Sequence, residues 1–295
     1  MIGIFITGCA TGFGNGLARH YLQAGWRVVA TDRNLNRLAG LHDLPGARER
    51  LLTLALDVRD PAQVSRAVDE AVRTGPVDVL VNNAGFAVFG TQEEADLDAV
   101  AEMLDVNILG VARVTQALLP HLRSVAGTVV NISSVAGQMS FPESGFYAAS
   151  KHAVEAMSEA LYEETASFGM RVVLMQPGSF DTQFLPTAAE RSLPRDPNGP
   201  YAAVQPTWDD VKTAVLEPPQ SASMVVEAIA KAVDSPLRFQ RVPVGPDCER
   251  ILREVQGGGR NRFTRWLASA SSGAPSFEER GDETTPEALL HSLQG

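Results

Sequence analysis

The sequence predicts an α/β fold, a doubly wound and mostly parallel sheet of seven strands with helices on both faces. Short apolar runs alternate with longer amphipathic patterns, and runs such as Leu51-Leu52-Thr53-Leu54-Ala55-Leu56 are apolar at nearly every position. Strands of a parallel sheet are covered on both faces, so they read as continuous apolar runs rather than alternations. A β–α–β succession with right-handed crossovers then winds such a sheet.

The strands are expected at Ile2–Thr7, Arg27–Thr31, Leu51–Leu56, Val77–Val81, Thr128–Ser133, Arg171–Met175 and Phe239–Val244. A helix over Gly16–Gln23 follows the first strand. Another over Pro61–Arg73 follows the third, where Asp60-Pro61 is a cap followed by a first-position proline. Asp96–Leu122 reads as one long helix, with Ala99, Met103, Val106 and Leu109 recurring at spacings of three and four. Tyr147–Phe168 is another, stopped by Gly169.

From Pro186 to Pro219 the texture changes, and seven prolines break any long regular element. Residues 183–220 therefore read as a loop, either a plain surface connection or a lid over a substrate. Residues 1–255 are expected to form one domain. Residues 256–295 form a C-terminal extension whose Ser/Gly/Glu-rich tail, from about 271, is expected to be mobile.

The 295 residues carry 25 basic and 35 acidic side chains, a formal charge of −10, which disfavours nucleic acids and anionic membrane surfaces as partners. Two distant cysteines, Cys9 and Cys248, and five histidines without ligand spacing predict neither a disulfide framework nor a metal site. No apolar run is long enough to span a bilayer. The N-terminus shows no basic region or cleavage site, so a cytoplasmic protein is expected.

The first strand runs into Thr7-Gly8-Cys9-Ala10-Thr11-Gly12-Phe13-Gly14. Glycines at a strand-to-helix turn let the backbone approach a pyrophosphate, and the helix N-terminus offers N–H groups and partial positive charge. The second strand ends at Asp32-Arg33. A carboxylate there accepts hydrogen bonds from adenosine ribose hydroxyls and repels a 2′-phosphate, whereas Arg33 pulls toward a phosphate. NAD is favoured over NADP, and the choice stays open.

These motifs resemble those of the short-chain dehydrogenase/reductase family, in its single-domain branch of Rossmann-type fold. The resemblance rests on the glycine loop, Asp57-Val58, Asn82-Asn83-Ala84-Gly85, Ser134 with Tyr147-Ala148-Ala149-Ser150-Lys151, and Pro177-Gly178-Ser179-Phe180-Asp181-Thr182. It covers residues 2–185 strongly and 220–245 loosely. It implies a cofactor site built from Gly8, Thr11, Gly12, Phe13, Gly14, Asp32, Arg33, Asp57, Val58, Asn82, Ala84, Gly85, Pro177, Gly178, Phe180 and Thr182, with Tyr147 and Lys151 at the nicotinamide end. Asp57 and Val58 would meet the adenine, Asn82 and Gly85 would wall the ribose, and Pro177, Gly178 and Thr182 would hold the carboxamide end.

The resemblance also implies catalysis by Asn107, Ser134, Tyr147 and Lys151. A tyrosine hydroxyl ordinarily titrates near pH 10, and a neighbouring cation favours its phenolate. Lysine four residues later lies one turn along the same helix face. Ser134 stands thirteen residues before Tyr147, the family's separation, and would steady charge on the reacting oxygen. Ser133 is its competitor. Asn107 matches a position that supports proton relay to the lysine.

Ser134, Gln138, Met139, Phe141, Tyr147 and Phe184, with Phe86, Val88 and Leu185 nearby, are expected to face the substrate. This largely apolar set suggests a hydrophobic alcohol or carbonyl, and the loop and the stretch from Asp96 to Phe184 look similar to members acting on steroids and retinoids. The family also implies a homodimer or homotetramer through the two long helices. Two rival readings are a nicotinamide-sensing protein without turnover and a sugar-nucleotide epimerase or dehydratase. The first has no need of Tyr147, and the second needs a larger C-terminal domain.

Overall fold

The computed structural model describes residues 1–203, 205, 206, 209 and 219–254. Strands β1 (Gly3–Thr7), β2 (Arg27–Asp32), β3 (Leu51–Ala55), β4 (Val79–Asn82), β5 (Thr128–Ile132), β6 (Arg171–Pro177) and β9 (Phe239–Val244) form one sheet in the order β3-β2-β1-β4-β5-β6-β9. Every pairing in it is parallel. The order reverses between β1 and β4, and such a switch point opens a crevice at the carboxyl ends of the strands. A second, two-stranded pairing joins β7 (Phe180–Asp181) to β8 (Gln220–Ser221).

The sheet's two faces bury different residues, following the strand period of two. Phe5, Val29, Leu80, Val129 and Val172 face one cluster, which includes Val64 and Val68 of α3 (Pro61–Thr74), Leu118 and Leu122 of α5 (Val111–Ser124) and Leu161 of α6 (Gly145–Thr165). Ile4, Ile6, Val28, Val81, Val130 and Val173 face the other, with Leu17 of α1 (Gly12–Gln23) and Val225 and Ile229 of α8 (Ser223–Asp234). A side chain such as Leu118, fully buried, contributes about 1.5–3 kcal/mol relative to exposure.

The Asp60-Pro61 signal starts α3 as expected: Asp60 Oδ1 accepts from Ala62 N at 2.9 Å and Gln63 N at 3.2 Å. Asp96 caps α4 (Leu97–Leu104) in the same way, accepting from Asp98 N at 2.9 Å.

Two elements depart from expectation. The helix expected over 96–122 is interrupted by a π-helical turn at Asp105–Gly110, between α4 and α5. Such a turn holds an extra residue and rotates the helix beyond it, and π turns recur at functional sites. The proline-rich loop opens as a helix, α7 (Phe184–Arg191). Pro186 is its third residue, in the first turn, where a missing N–H removes no intrahelical bond.

Met1–Pro194 and Glu217–Leu252 form one compact unit carrying the sheet, and a second begins at Arg195. In that second group Asp196 accepts from Asn198 N at 2.8 Å, closing a turn. The extension 256–295 and the tail from 271 lie outside the described residues, as do 204, 207, 208 and 210–218 of the loop. Two further helices are α2 (Ala47–Arg50) and α9 (Pro246–Glu254).

Candidate active site

The β1–α1 turn is shaped by its glycines. Gly8 and Gly12 have φ of 73° and 56°, left-handed values that other residues adopt at a cost. A Cβ on Gly14 would lie 2.3 Å from the Gly8 carbonyl oxygen, so the crossing needs glycine there. Thr11 precedes α1 without a side-chain cap bond, and no acidic residue stands in the first turn. The helix terminus thus presents its partial positive charge to the crevice.

The other candidate cofactor residues converge on this turn. A Cβ on Gly12 would sit 3.5 Å from Thr182, and Phe13 meets the Phe180 ring edge-on at 5.7 Å. Thr7 Oγ1 accepts from Ala84 N at 3.0 Å, bringing the 82–85 turn against the loop. Asn83 Nδ2 donates to the Gly8 carbonyl at 2.9 Å. Asp32 closes the second strand with Oδ2 accepting from Ala10 N at 3.2 Å and Oδ1 from Asn34 N at 3.1 Å. Arg33 beside it is exposed. On the 177–179 turn, Ser179 N donates to the fully buried Asp247 at 2.8 Å, and a Cβ on Gly178 would strike that carboxylate at 1.9 Å.

Two expected cofactor residues are otherwise engaged. Asp57 is forked by Arg59, at 2.6 Å from Nη2, and this hydrogen bonding holds its carboxyl below the usual carboxylate range. Arg59 continues to Glu102 at 2.7 Å, and Glu102 to Arg191 at 3.2 Å. Val58 packs on Gly110, where a Cβ would come 2.6 Å from Val58 Cγ2. Asn82 is turned inward, its Nδ2 donating to Thr115 Oγ1 at 2.9 Å and Asn131 Oδ1 at 2.8 Å.

The four candidate catalytic residues come together beside Gly85. Tyr147, 8% exposed, has Ser134 beside its hydroxyl, where it favours the phenolate. Lys151, 7% exposed, lies one turn along α6 with Nζ 5.8 Å from the Tyr147 ring centroid and donating to the Ile132 carbonyl at 2.8 Å. A Cβ on Gly85 would stand 3.0 Å from Asn107 Oδ1 and 3.8 Å from Lys151 Nζ, so this glycine lets the cluster close. Asn107 sits in the π turn, donates to the Phe86 carbonyl at 2.9 Å and accepts from Phe86 N at 3.1 Å.

The neighbouring serines part company. Ser134 Oγ accepts from Ala136 N at 3.1 Å and reaches Tyr147, whereas Ser133 is buried and donates to Glu155 Oε1 at 2.5 Å. Burial pushes the Tyr147 hydroxyl up to about 12, opposed by the Ser134 hydrogen bond. Sequence reasoning expects the lysine to lower it instead. Burial governs here, and it pushes the Lys151 ammonium down to about 8, with the Glu155 carboxylate acting the other way.

Of the expected substrate residues, Phe184 stacks on Tyr147 at 5.5 Å between centroids. Gln138, Met139 and Phe141 lie on the segment from β5 to α6; Met139 is buried, while Gln138 and Phe141 are half-buried. Phe86 and Val88 are buried and Leu185 is exposed. Sequence reasoning missed Phe89, edge-on to Tyr147 at 6.2 Å, Arg191, whose guanidinium lies 4.2 Å from the Phe86 centroid, and Glu155. Only Glu155 had a signal, being four residues beyond Lys151 on the same helix face. Among the described residues no His/Cys/Asp/Glu group could hold a metal, and no helix is long and apolar enough to cross a membrane.

Comparison with known proteins places this arrangement. The family model for short chain dehydrogenase matches residues 3–192. The chain is 38% identical over 183 residues to a 3-ketodihydrosphingosine reductase of Bacteroides thetaiotaomicron, covering 61% of this chain and 65% of that one. It is 40% identical over 185 residues to retinol dehydrogenase 7 of Mus musculus, covering 61% and 57%. The match thus spans less than two thirds of either relative's length. A short-chain dehydrogenase structure from Streptomyces avermitilis superposes with a TM-score of 0.77 at 32% identity, over 92% of this chain and 98% of that one. An NAD complex of a short-chain dehydrogenase/reductase from Burkholderia phymatum does so at 0.73 and 28% identity, over 89% and 94%. Sheet order, glycine turn and family match coincide on the same residues, and the chain belongs to the short-chain dehydrogenase/reductase family.

Proposed function

We propose that this chain is a nicotinamide-dependent oxidoreductase that interconverts a hydrophobic alcohol and its ketone or aldehyde, with Tyr147 as the acid/base. The observation that carries this is the buried Tyr147 hydroxyl beside Ser134, with Lys151 one helical turn away.

The glycine turn fits a dinucleotide, because Gly14 admits no side chain and the α1 terminus carries no opposing acid. Asp32 favours NAD, its carboxylate standing where ribose hydroxyls would donate and a 2′-phosphate would be repelled. Arg59 holds both Asp57 oxygens, so the adenine would meet Val58 and the main chain there. When bound, the nicotinamide supplies the hydride acceptor or donor.

Ser134 would orient the reacting oxygen and stabilise charge on it. Tyr147 would take the alcohol proton in oxidation and return it in reduction. Its high pKa suits donation; a cationic oxidised nicotinamide beside it would favour the phenolate that oxidation requires. Lys151 would hold the ribose hydroxyls, and Asn107 would keep the Phe86 backbone beside it in place. Phe89 and Phe184 against the tyrosine ring, with Met139, support a hydrophobic substrate, and retinol and ketosphingoid relatives support the same class. Helix α7, which brings Phe184 to the tyrosine ring, would line that side of the substrate.

Assembly is proposed through α5 and α6. A groove between them is lined by Val111, Ala112, Leu119, Met157 and Ala160, and light scattering at micromolar concentration tests for a dimer or tetramer.

The test of function is nicotinamide absorbance with wild type and Tyr147→Phe, offering NAD and NADP beside hydrophobic secondary alcohols. Wild-type turnover that collapses in the variant while cofactor binding persists is expected. A variant as active as wild type overturns the assignment.

A further inference from the structure

We propose that Glu155 is a positioning residue for this reaction: through Ser133 it holds the Ile132–Ser134 segment, which carries the partners of both Lys151 and Tyr147. The inference rests on the oxidoreductase reading and adds a residue that does not touch the reacting atoms.

Glu155 is 5% exposed, and a carboxylate so buried must be paired to be tolerated. Its partners come from three strands of the sheet or their ends. Oε1 accepts from Ser133 Oγ at 2.5 Å, at the end of β5, and from Gln176 Nε2 at 3.0 Å, in β6. Oε2 accepts from Arg241 Nε at 3.1 Å, in β9. Arg241 also pairs with Glu159, the next turn of α6, and its guanidinium lies 5.1 Å from the Phe239 centroid. α6 is thereby bolted to β5, β6 and β9 by one side chain.

The neighbours of Ser133 give the bolt its use. The preceding carbonyl, of Ile132, accepts from Lys151 Nζ at 2.8 Å. The following residue, Ser134, stands beside the Tyr147 hydroxyl. Ser133 N is itself held by the Met175 carbonyl at 2.8 Å, so the segment is tied at both main chain and side chain. A Cβ on Gly137 would fall 2.6 Å from Ser133 Oγ and 3.1 Å from Glu155 Oε1, so the pair occupies space that only a glycine leaves there. Glu155 also opposes the loss of the Lys151 proton, consistent with its place one turn below that ammonium.

The test uses the full chain with an alcohol that the wild type oxidises, comparing Ser133→Ala, Glu155→Gln, Glu155→Ala and the double variant Ser133→Ala/Glu155→Gln. Ser133→Ala and Glu155→Ala should each lower kcat by about tenfold to a hundredfold, the scale of a small misplacement of reacting groups. The cofactor KM and the calorimetric cofactor affinity should change less than kcat, because the glycine turn is untouched and only the Lys151 end of the cofactor site is loosened. Glu155→Gln keeps an acceptor for Ser133 and should retain most of kcat. The double variant should be no worse than Ser133→Ala, since both act through one contact. If Glu155→Ala does not fold, Ser133→Ala and the double variant still decide. Wild-type kcat in Ser133→Ala, or a loss confined to cofactor KM, overturns the proposal while leaving Tyr147-dependent turnover standing. Absence of any Tyr147-dependent turnover in the wild type is a failure of the oxidoreductase reading itself.

Discussion

Replacing Lys151 by methionine should stabilise the fold near neutral pH, and the gain should fade as the solution becomes alkaline. The ammonium is buried, and its pKa falls from 10.5 to about 8. A folded-state pKa below the unfolded one means that folding opposes the protonated form, so below about pH 8 the wild type carries a penalty of about 3 kcal/mol. Between about 8 and 10.5 the unfolded chain binds more protons than the folded one, and the penalty drains away as pH rises. Methionine also forfeits the bond to the Ile132 carbonyl, a pH-independent loss of about 1 kcal/mol. The variant should therefore be more stable by about 2 kcal/mol near pH 7 and less stable by about 1 kcal/mol above pH 10.5. Urea unfolding of both proteins across that range measures the difference, and effects common to the two cancel. A difference that stays constant with pH would refute the reasoning, because the fold would then not oppose the lysine's charge.

The same geometry dictates three further outcomes. Gly14→Ala places a Cβ 2.3 Å from the Gly8 carbonyl oxygen, so calorimetric titration should show cofactor affinity lost by at least about tenfold, and wild-type affinity would contradict the cradle. Asp32→Asn removes the charge but leaves an oxygen for the Ala10 or Asn34 amide; the affinity ratio of NADP to NAD should rise by roughly tenfold, the scale of one charge-assisted contact. Asp60→Ala removes the α3 cap, which accepts from Ala62 N at 2.9 Å, and should lower the urea unfolding midpoint without changing cofactor affinity.

The sheet was legible because its inner strands β1, β2, β4, β5 and β6 are buried on both faces, and a doubly covered strand has no polar alternation to confuse it. Phe239–Val244 is found at its expected bounds, and Arg171–Met175 ends two residues late only because Gln176 and Pro177 continue the pairing. Asn107, Ser134, Tyr147 and Lys151 were named as a set by the family resemblance, with Ser134 and Lys151 spaced from Tyr147 accordingly, and they lie near one another beside Gly85. The π turn was not legible: Asp105–Gly110 keeps ordinary helix-forming residues, and only the register of its backbone bonds differs. Helix α7 was hidden by a rule applied without position, since Pro186 is tolerated in a first turn. The inward turn of Asn82 depends on Thr115 and Asn131, and the use of Glu155 on Ser133, Gln176 and Arg241. Partners so distant in sequence leave no local pattern.

The outermost strand has a consequence for how the molecule is made. β9 joins the sheet by pairing with β6, Val172 beside Phe239, so a chain emerging from the ribosome completes six strands well before the seventh exists. Until then the Glu155 carboxylate lacks the guanidinium of Arg241, and β6 offers an open edge. Sheets closed by such distant pairings form late and slowly. The last strand to be translated thus delivers the counter-charge beneath the lysine, and a chain cut short before residue 239 would leave that buried carboxylate without its guanidinium.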